Sequence, residues 1–279
     1  MIISVASGKG GTGKTTVATN LAVSIESAVQ VLDCDVEEPN VHLFLNPVIE
    51  RLETVFAAVP EIDKDKCTLC RKCSDICRFK AIAVAGRTIL TFPELCHSCG
   101  GCMAVCPEEA VSETGRELGV IEDGFARSVD FAHGRLRVGE AMSPPLIKKV
   151  RALAKTDTIN IIDAPPGTSC PVIAAVKDTD FVLMVTEPTP FGLHDLKLAV
   201  EAVKLLHLPC GLVINRSDIG NDDVRRYARA ESLPILMEIP FERRIAEVYS
   251  RGQLMVEAMP EWKDAFRALY GKIMSMIEG

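Results

Sequence analysis

Two runs of four cysteines dominate the chemistry open to this 279-residue chain. They read Cys67-x2-Cys70-x2-Cys73-x3-Cys77 and Cys96-x2-Cys99-x2-Cys102-x3-Cys106-Pro107. Thiolates at these intervals suit [4Fe–4S] cubes: the x2 spacings wrap three irons of one cube, and the distant fourth cysteine comes from the other run. By that rule one cluster takes Cys67, Cys70, Cys73 and Cys106, and a second takes Cys77, Cys96, Cys99 and Cys102. Zinc is the competing reading, because C-x2-C pairs also bind it. Two complete runs and the trailing proline favour clusters. The first run has Arg78 where proline is expected, which removes no ligand. His97, between two ligands, reads as a surface residue.

A second chemistry opens the chain. Gly8-Lys9-Gly10-Gly11-Thr12-Gly13-Lys14-Thr15, followed by Thr16, fits the phosphate-loop pattern G-x4-G-K-[ST]. Its glycines let backbone N–H groups wrap phosphates, Lys14 reaches the β- and γ-phosphates, and the Thr15 hydroxyl binds Mg²⁺. Two apolar runs end in acids, at Asp33-Cys34-Asp35 and at Asp163-Ala164-Pro165-Pro166-Gly167. A carboxylate beside phosphates is repelled unless Mg²⁺ or lysine offsets it, so acids here fit a Mg²⁺–nucleotide site.

Lys9 adds a family resemblance. A second lysine inside the loop resembles the deviant Walker A motif of the MinD/ParA/Mrp and nitrogenase iron-protein group. The resemblance covers the whole chain outside the cysteine segment. It implies an ATPase, slow without its partner, that forms a homodimer on ATP binding or a heterodimer with a paralogue. In that group the lysine at Lys9 crosses the interface to the partner's nucleotide. Asp33 falls in the first switch and orients Mg²⁺ through water, while Asp35 activates the attacking water beside Lys9 and Lys14. Asp163 matches the residue that holds the Mg²⁺ shell, and the Gly167 N–H senses the γ-phosphate. Asn215, Arg216 and Pro240 match adenine contacts, although a strand-end Asn is also a common turn residue. The cysteine segment is similar to a bacterial ferredoxin. The expected cofactors are ATP, Mg²⁺ and two [4Fe–4S] clusters.

The elements around these residues follow from apolar periodicity. Strands are expected at 2–7, 29–33, 88–92, 158–163, 181–186, 211–215 and 235–239. Helices are expected at about 14–27, 144–154, 191–206, 222–231 and 261–277, with hairpins within 115–139. The last helix carries Trp262, Phe266, Leu269, Tyr270, Ile273 and Ile277 on one stripe. The fold class is α/β: a mostly parallel phosphate-loop sheet with helices on both faces, formed by 1–59 and 113–279. Residues 60–112 would be a small α+β ferredoxin-like insertion.

Composition narrows the partners. Net charge is −7, which argues against general affinity for nucleic acid. No apolar run is long enough for stable membrane insertion. With 11 cysteines and a strand at the very start, thiolate ligands in a reducing cytoplasm are expected rather than disulfides. Cys34 and Cys210 read as small buried residues, and Cys170 as packing or a bridging site. Three functions compete: ATP-gated electron transfer to a redox protein, cluster assembly or delivery to an acceptor protein, and a MinD-like positioning switch. Mrp-like relatives carry clusters, but their C-terminal C-x-x-C is missing here. A membrane-binding tail would have to be 261–277, whose stripe reads better as core.

Overall fold

The computed structural model describes all 279 residues. The phosphate loop joins β1 (Ile2–Ala6) to α1 (Lys14–Ser24). β2 (Val29–Asp33) follows, buried along its whole length as a central parallel strand must be. After the short helix α2 (Val41–Leu45), β3 (Val48–Ile62) runs for 15 residues. The cysteine region holds α3 (Lys72–Ile76), β4 (Ile82–Ala85), β5 (Thr88–Thr91) and α4 (Gly101–Ala104). β6 (Val111–Ala126) and β7 (Val129–Leu136) make one hairpin through Arg127 and Ser128. Alternation then resumes with α5 (Pro144–Arg151), β8 (Ile159–Asp163), α6 (Cys170–Val176), β9 (Phe181–Thr186) and α7 (Pro190–Leu205). It continues through β10 (Cys210–Asn215), α8 (Asp223–Ala230) and β11 (Ile235–Ile239). Three helices close the chain: α9 (Arg243–Ser250), α10 (Met255–Ala258) and α11 (Glu261–Glu278).

Nine strands form one sheet in the order β11–β10–β9–β1–β8–β2–β7–β6–β3. Every pairing from β11 to β7 is parallel. The two-residue turn reverses β6, since only antiparallel strands join so tightly. β3 is antiparallel to β6 in turn: Val48 lies against Gly124, while Asp63 N–H donates to the Ala110 carbonyl at 2.8 Å. The α/β expectation holds, with an antiparallel edge. β3 escaped the periodicity because its first seven residues are exposed and lack the alternation of a half-buried strand.

The chain forms two compact units. The first comprises Met1–Glu53, Ile121–Arg135 and Ser143–Gly279; the second comprises Thr54–Val120 and Leu136–Met142. The expected limits of 60–112 fall inside β3 and β6, because the chain changes unit within these long strands rather than in loops. In the first unit α11 buries Phe266, Leu269 and Ile273 in the main core, with Trp262, Tyr270 and Ile277 packed beside them. The stripe read from sequence therefore faces the core. No helix is long and apolar enough to cross a membrane.

The second unit has a small core of Cys73, Ile82, Ile89 and Val111, with Cys67, Cys102 and Cys106 packed against it. Its backbone is duplicated. Left-handed φ angles at Leu69, Arg71 and Lys80 recur at the equivalent Ser98, Gly100 and Glu109. The Cys77 sulfur accepts the Ala81 N–H, and the Cys106 sulfur accepts the Ala110 N–H, each at 3.3 Å.

Phe266 has no exposed surface. Phe266→Ala is expected to cost about 3–5 kcal/mol by loss of transfer energy and cavity formation. Urea unfolding should show this as a lower midpoint at nearly constant slope.

Candidate functional site

The carboxyl ends of three adjacent strands bring the loop and two acids together. Asp163 of β8 sits in register with Val5 of β1 on one side and Asp33 of β2 on the other. The Thr15 hydroxyl donates to Asp163 Oδ2 at 2.6 Å. Asp163 Oδ1 is buried without a hydrogen-bond partner. Asp33 accepts N–H bonds from Asp35 (3.1 Å), Asn40 (2.9 Å) and Val41 (3.0 Å), so both its oxygens pin the segment that follows it.

This concentrates negative charge out of water. Burial, and then the neighbouring Asp163, push the Asp33 pKa well above the usual carboxylate range. Burial raises Asp163 too, against the opposing pull of Lys14. Asp35 is half-buried and pushed up to about 6, chiefly by burial, with Lys14 opposing and Asp163, Glu37 and Glu38 adding. Lys14 is the cation that works against these shifts at both Asp35 and Asp163. The free Asp163 oxygen, the Thr15 hydroxyl and this excess of carboxylates suit a hard divalent cation with oxygen ligands.

The loop itself is tightly fitted. Gly11 and Gly13 adopt φ of +76° and +97°, where a side chain is strained. A Cβ on Gly8 would collide with the Asp195 backbone. Asn215 Nδ2 donates to the Thr12 carbonyl at 2.8 Å, bracing the loop. The Gly167 N–H donates to the Ser7 carbonyl at 2.9 Å and is engaged there in this arrangement.

Lys9 does not point freely outward. It forms an ion pair with Glu187, which also accepts Arg216 Nη1 at 3.0 Å. Glu187 was not anticipated. It follows a buried strand in Glu187-Pro188-Thr189-Pro190, which carries no motif.

A cavity of about 360 Å³ adjoins the loop. It gathers Gly11, Gly13, Lys14, Thr15, Thr16, Asn215, Arg216 and Pro240, all expected at the nucleotide. Gly8, Lys9, Gly10, Thr12, Gly167 and the three acids lie outside its lining. Phe241, Ile245, Tyr249 and Met255 complete one wall. The last three come from α9 and α10, short helices that periodicity did not resolve.

The cysteines line two other cavities. One, of about 60 Å³, is lined by Cys77, Cys96, Cys99 and Cys102 together with Ile76, Phe79 and His97. The other, about 10 Å³, is lined by Cys67, Cys70, Cys73 and Cys106 with Ile62, Leu69, Ile89 and Val111. These are the two sets read from the spacing. No three His, Cys, Asp or Glu side chains converge as ligands of a single ion; each quartet rings a space. Apolar side chains among the sulfurs suit a polynuclear centre with one side toward solvent, where Cys70 and Cys99 are exposed. His97 is exposed, as expected of a surface residue, and its ring stacks on Phe79 with centroids 3.4 Å apart and planes 12° apart. Cys34 is buried as expected, Cys210 only partly, and Cys170 is exposed.

Comparisons with known proteins bear on the family and the fold. The CobQ/CobB/MinD/ParA nucleotide binding domain matches residues 3–255. An uncharacterized protein of Methanocaldococcus jannaschii is 32% identical over 99% of this chain and 98% of its own length. The iron-sulfur cluster carrier protein of Aquifex aeolicus is 26% identical over 99% of this chain and 67% of its own. The septum site-determining protein MinD of Pyrococcus horikoshii, solved with Mg-ADP, shares the fold at a TM-score of 0.61. Its identity is 22%, with 98% and 95% of the two chains covered.

Thr15→Ala would leave Asp163 with neither oxygen paired. Hydrogen bonds to charged groups contribute about 1.5–3 kcal/mol, so a loss of roughly tenfold to a hundredfold in ATP affinity is expected. Calorimetric titration should show that loss with Mg²⁺ and a much smaller one in chelator.

Proposed function

We propose that this chain, which belongs to the CobQ/CobB/MinD/ParA family of P-loop ATPases, uses ATP to gate electron transfer through two [4Fe–4S] clusters held by its second unit. The observation that carries the reading is the pair of cysteine quartets, each lining its own cavity in a unit with its own core. Four thiolates from one folded chain leave no cluster corner open to an acceptor, which favours retained redox centres over cargo. The left-handed backbone at Leu69, Arg71 and Ser98 supports it. Such φ values are costly for non-glycine residues, and strained loops cluster where a bound group over-determines them. The clusters would supply one-electron transfer.

At the nucleotide, Lys14 and the loop N–H groups bind the phosphates, and Thr15 with Asp163 holds Mg²⁺. The aromatic and aliphatic wall of Tyr249, Phe241 and Ile245 takes the base, beside Asn215, Arg216 and Pro240. Asp35 receives the proton of the attacking water, a role its raised pKa suits. Lys9 exchanges Glu187 for the phosphates of a partner subunit, so ATP draws two copies into a homodimer. Asp33 acts through the backbone of residues 35–41 that it pins, as the spring of the first switch. The protein works in the cytoplasm beside a redox partner.

One observation favours a second reading, cluster delivery. The relatives from Aquifex aeolicus and Mus musculus are named as an iron-sulfur cluster carrier and transfer protein, at 26% and 25% identity.

The chain reconstituted with iron-55 clusters distinguishes the two. Mixed with an apo-ferredoxin acceptor, with and without MgATP, it is expected to retain its label in both cases. Label moving to the acceptor only with MgATP would replace the redox reading with the carrier reading. In a second assay, Glu187→Gln is expected to lower the ATP concentration at which dimers form in sedimentation by several-fold, because it releases Lys9. An unchanged or higher requirement would remove Glu187 from the switch.

A further inference from the structure

The two cysteine motifs share a backbone but not a charge. The recurring left-handed residues put them in register, with Arg71 equivalent to Gly100, Lys72 to Gly101, Arg78 to Pro107 and Lys80 to Glu109. The first motif is basic at all four positions and the second at none. Residues 71–87 carry Arg71, Lys72, Arg78, Lys80 and Arg87 against the single acid Asp75. Residues 88–115 carry Glu94, Glu108, Glu109 and Glu113 and no lysine or arginine. In a chain of net charge −7, this is a local reversal of sign. Arg71 adopts the left-handed conformation that its equivalent Gly100 takes without a side-chain penalty.

The basic side chains are exposed and uncommitted. Elsewhere surface arginines pair with carboxylates, as Arg225 does with Glu238 and Arg243 with Glu247. None of these five has a carboxylate within 4.0 Å. α3, between the two pairs of cations, has five residues and is about 7.5 Å long at 1.5 Å per residue. Arg71 and Lys72 at its start, and Arg78 and Lys80 beyond its end, therefore act together over roughly one Debye length. Ile76 and Phe79 lie among them, 44% and 43% exposed. A polyanion needs only charge; apolar groups set among cations fit a protein surface better. Ile76 and Phe79 also line the cavity of Cys77, Cys96, Cys99 and Cys102.

We propose that the segment Arg71–Lys80 is the docking surface for a carboxylate-rich redox protein that delivers electrons at the Cys77–Cys96–Cys99–Cys102 centre. The inference rests on the redox reading above and names the partner's chemistry. The step is a single-electron transfer: the partner's reduced centre is oxidised by one electron, the cluster is reduced by one, and no bond or proton moves. Lysines and arginines around the entry point attract acidic carriers and repel basic ones, which acts mainly on the association rate.

The test uses the reconstituted full chain and a photoreduced plant-type [2Fe–2S] ferredoxin, an acidic probe, in stopped flow. Steering depends on charge rather than on a matched interface, so this probe suffices. The second-order rate is expected to fall about tenfold or more between low and high salt. The triple variant Lys72→Glu, Arg78→Glu, Lys80→Glu should be slowed as much at low salt. The milder Lys72→Gln, Arg78→Gln, Lys80→Gln should fall between. Cluster absorbance should stay near wild type in both variants, and the rate with reduced methyl viologen, a cation, should not fall in either, which shows folded, loaded protein. A rate insensitive to salt and to both variants overturns the docking surface. Duplex DNA, phosphatidylserine vesicles or a second copy of the chain bound at low salt, and lost in the triple variant, would give the patch to that occupant and overturn it as well. A wild-type chain with no cluster absorbance, or with clusters that no donor reduces, sinks the redox reading and the proposal with it.

Discussion

Two carboxylates side by side in a dry place are the constraint on which the nucleotide half of this protein depends. The parallel register of β2 and β8 sets Asp33 and Asp163 next to each other, fully out of water. Such a pair is tolerated only when its charge is offset or spread over donors. The chain answers differently for each. Asp33 is satisfied by three backbone N–H groups and so fixes the path of residues 35–41. Asp163 keeps one oxygen unpaired and faces Thr15 and Lys14. One acid therefore fixes the path of the segment after β2, and the other keeps an oxygen unpaired beside the phosphate loop. The same logic governs Glu187, which holds two cations at once and so keeps Lys9 within its own subunit.

The cysteine unit meets a different constraint with the same economy of parts. The cluster beside its cysteines has four buried side chains, one of them Cys73, while Val55, Val59 and Leu118 are buried elsewhere in the unit. A unit this small gains little from apolar burial alone. Its loops also hold non-glycine residues in left-handed conformations that oppose folding. Both facts make sense if the bound clusters supply the missing cohesion, as metal ligation does in other small domains. Stability of the unit and its chemistry are then one property.

Much of this was legible in the sequence because it depends on short, local patterns. The phosphate loop, the acids at the ends of β2 and β8, the cysteine intervals and the amphipathic stripe of α11 need only neighbours along the chain. What escaped depends on distant partners. The Gly167 N–H bonds to the Ser7 carbonyl and the Asn215 amide to the Thr12 carbonyl, partners that no spacing reveals. Glu187 has no motif; its role follows from where Lys9 and Arg216 fold. β3 carries polar and apolar residues in no clear period because both its faces are open at the start. The long reach of β3 and β6 also explains why cysteine spacing alone marked 60–112 while the compact unit extends to both sides.

Chain connectivity ties the segment after β2 closely to the second unit. The chain passes between its two units in β3, in β6, near the end of β7 and just before α5. The first of these lies close in sequence to the switch. Asp33 holds Asn40 and Val41, α2 begins at Val41, and β3 starts three residues after α2 ends. Any nucleotide-driven loosening of the Asp33 bonds therefore acts within a few residues on a strand that continues into the cysteine unit. Three of the four crossings between the units lie within strands, and the fourth lies in the loop before α5.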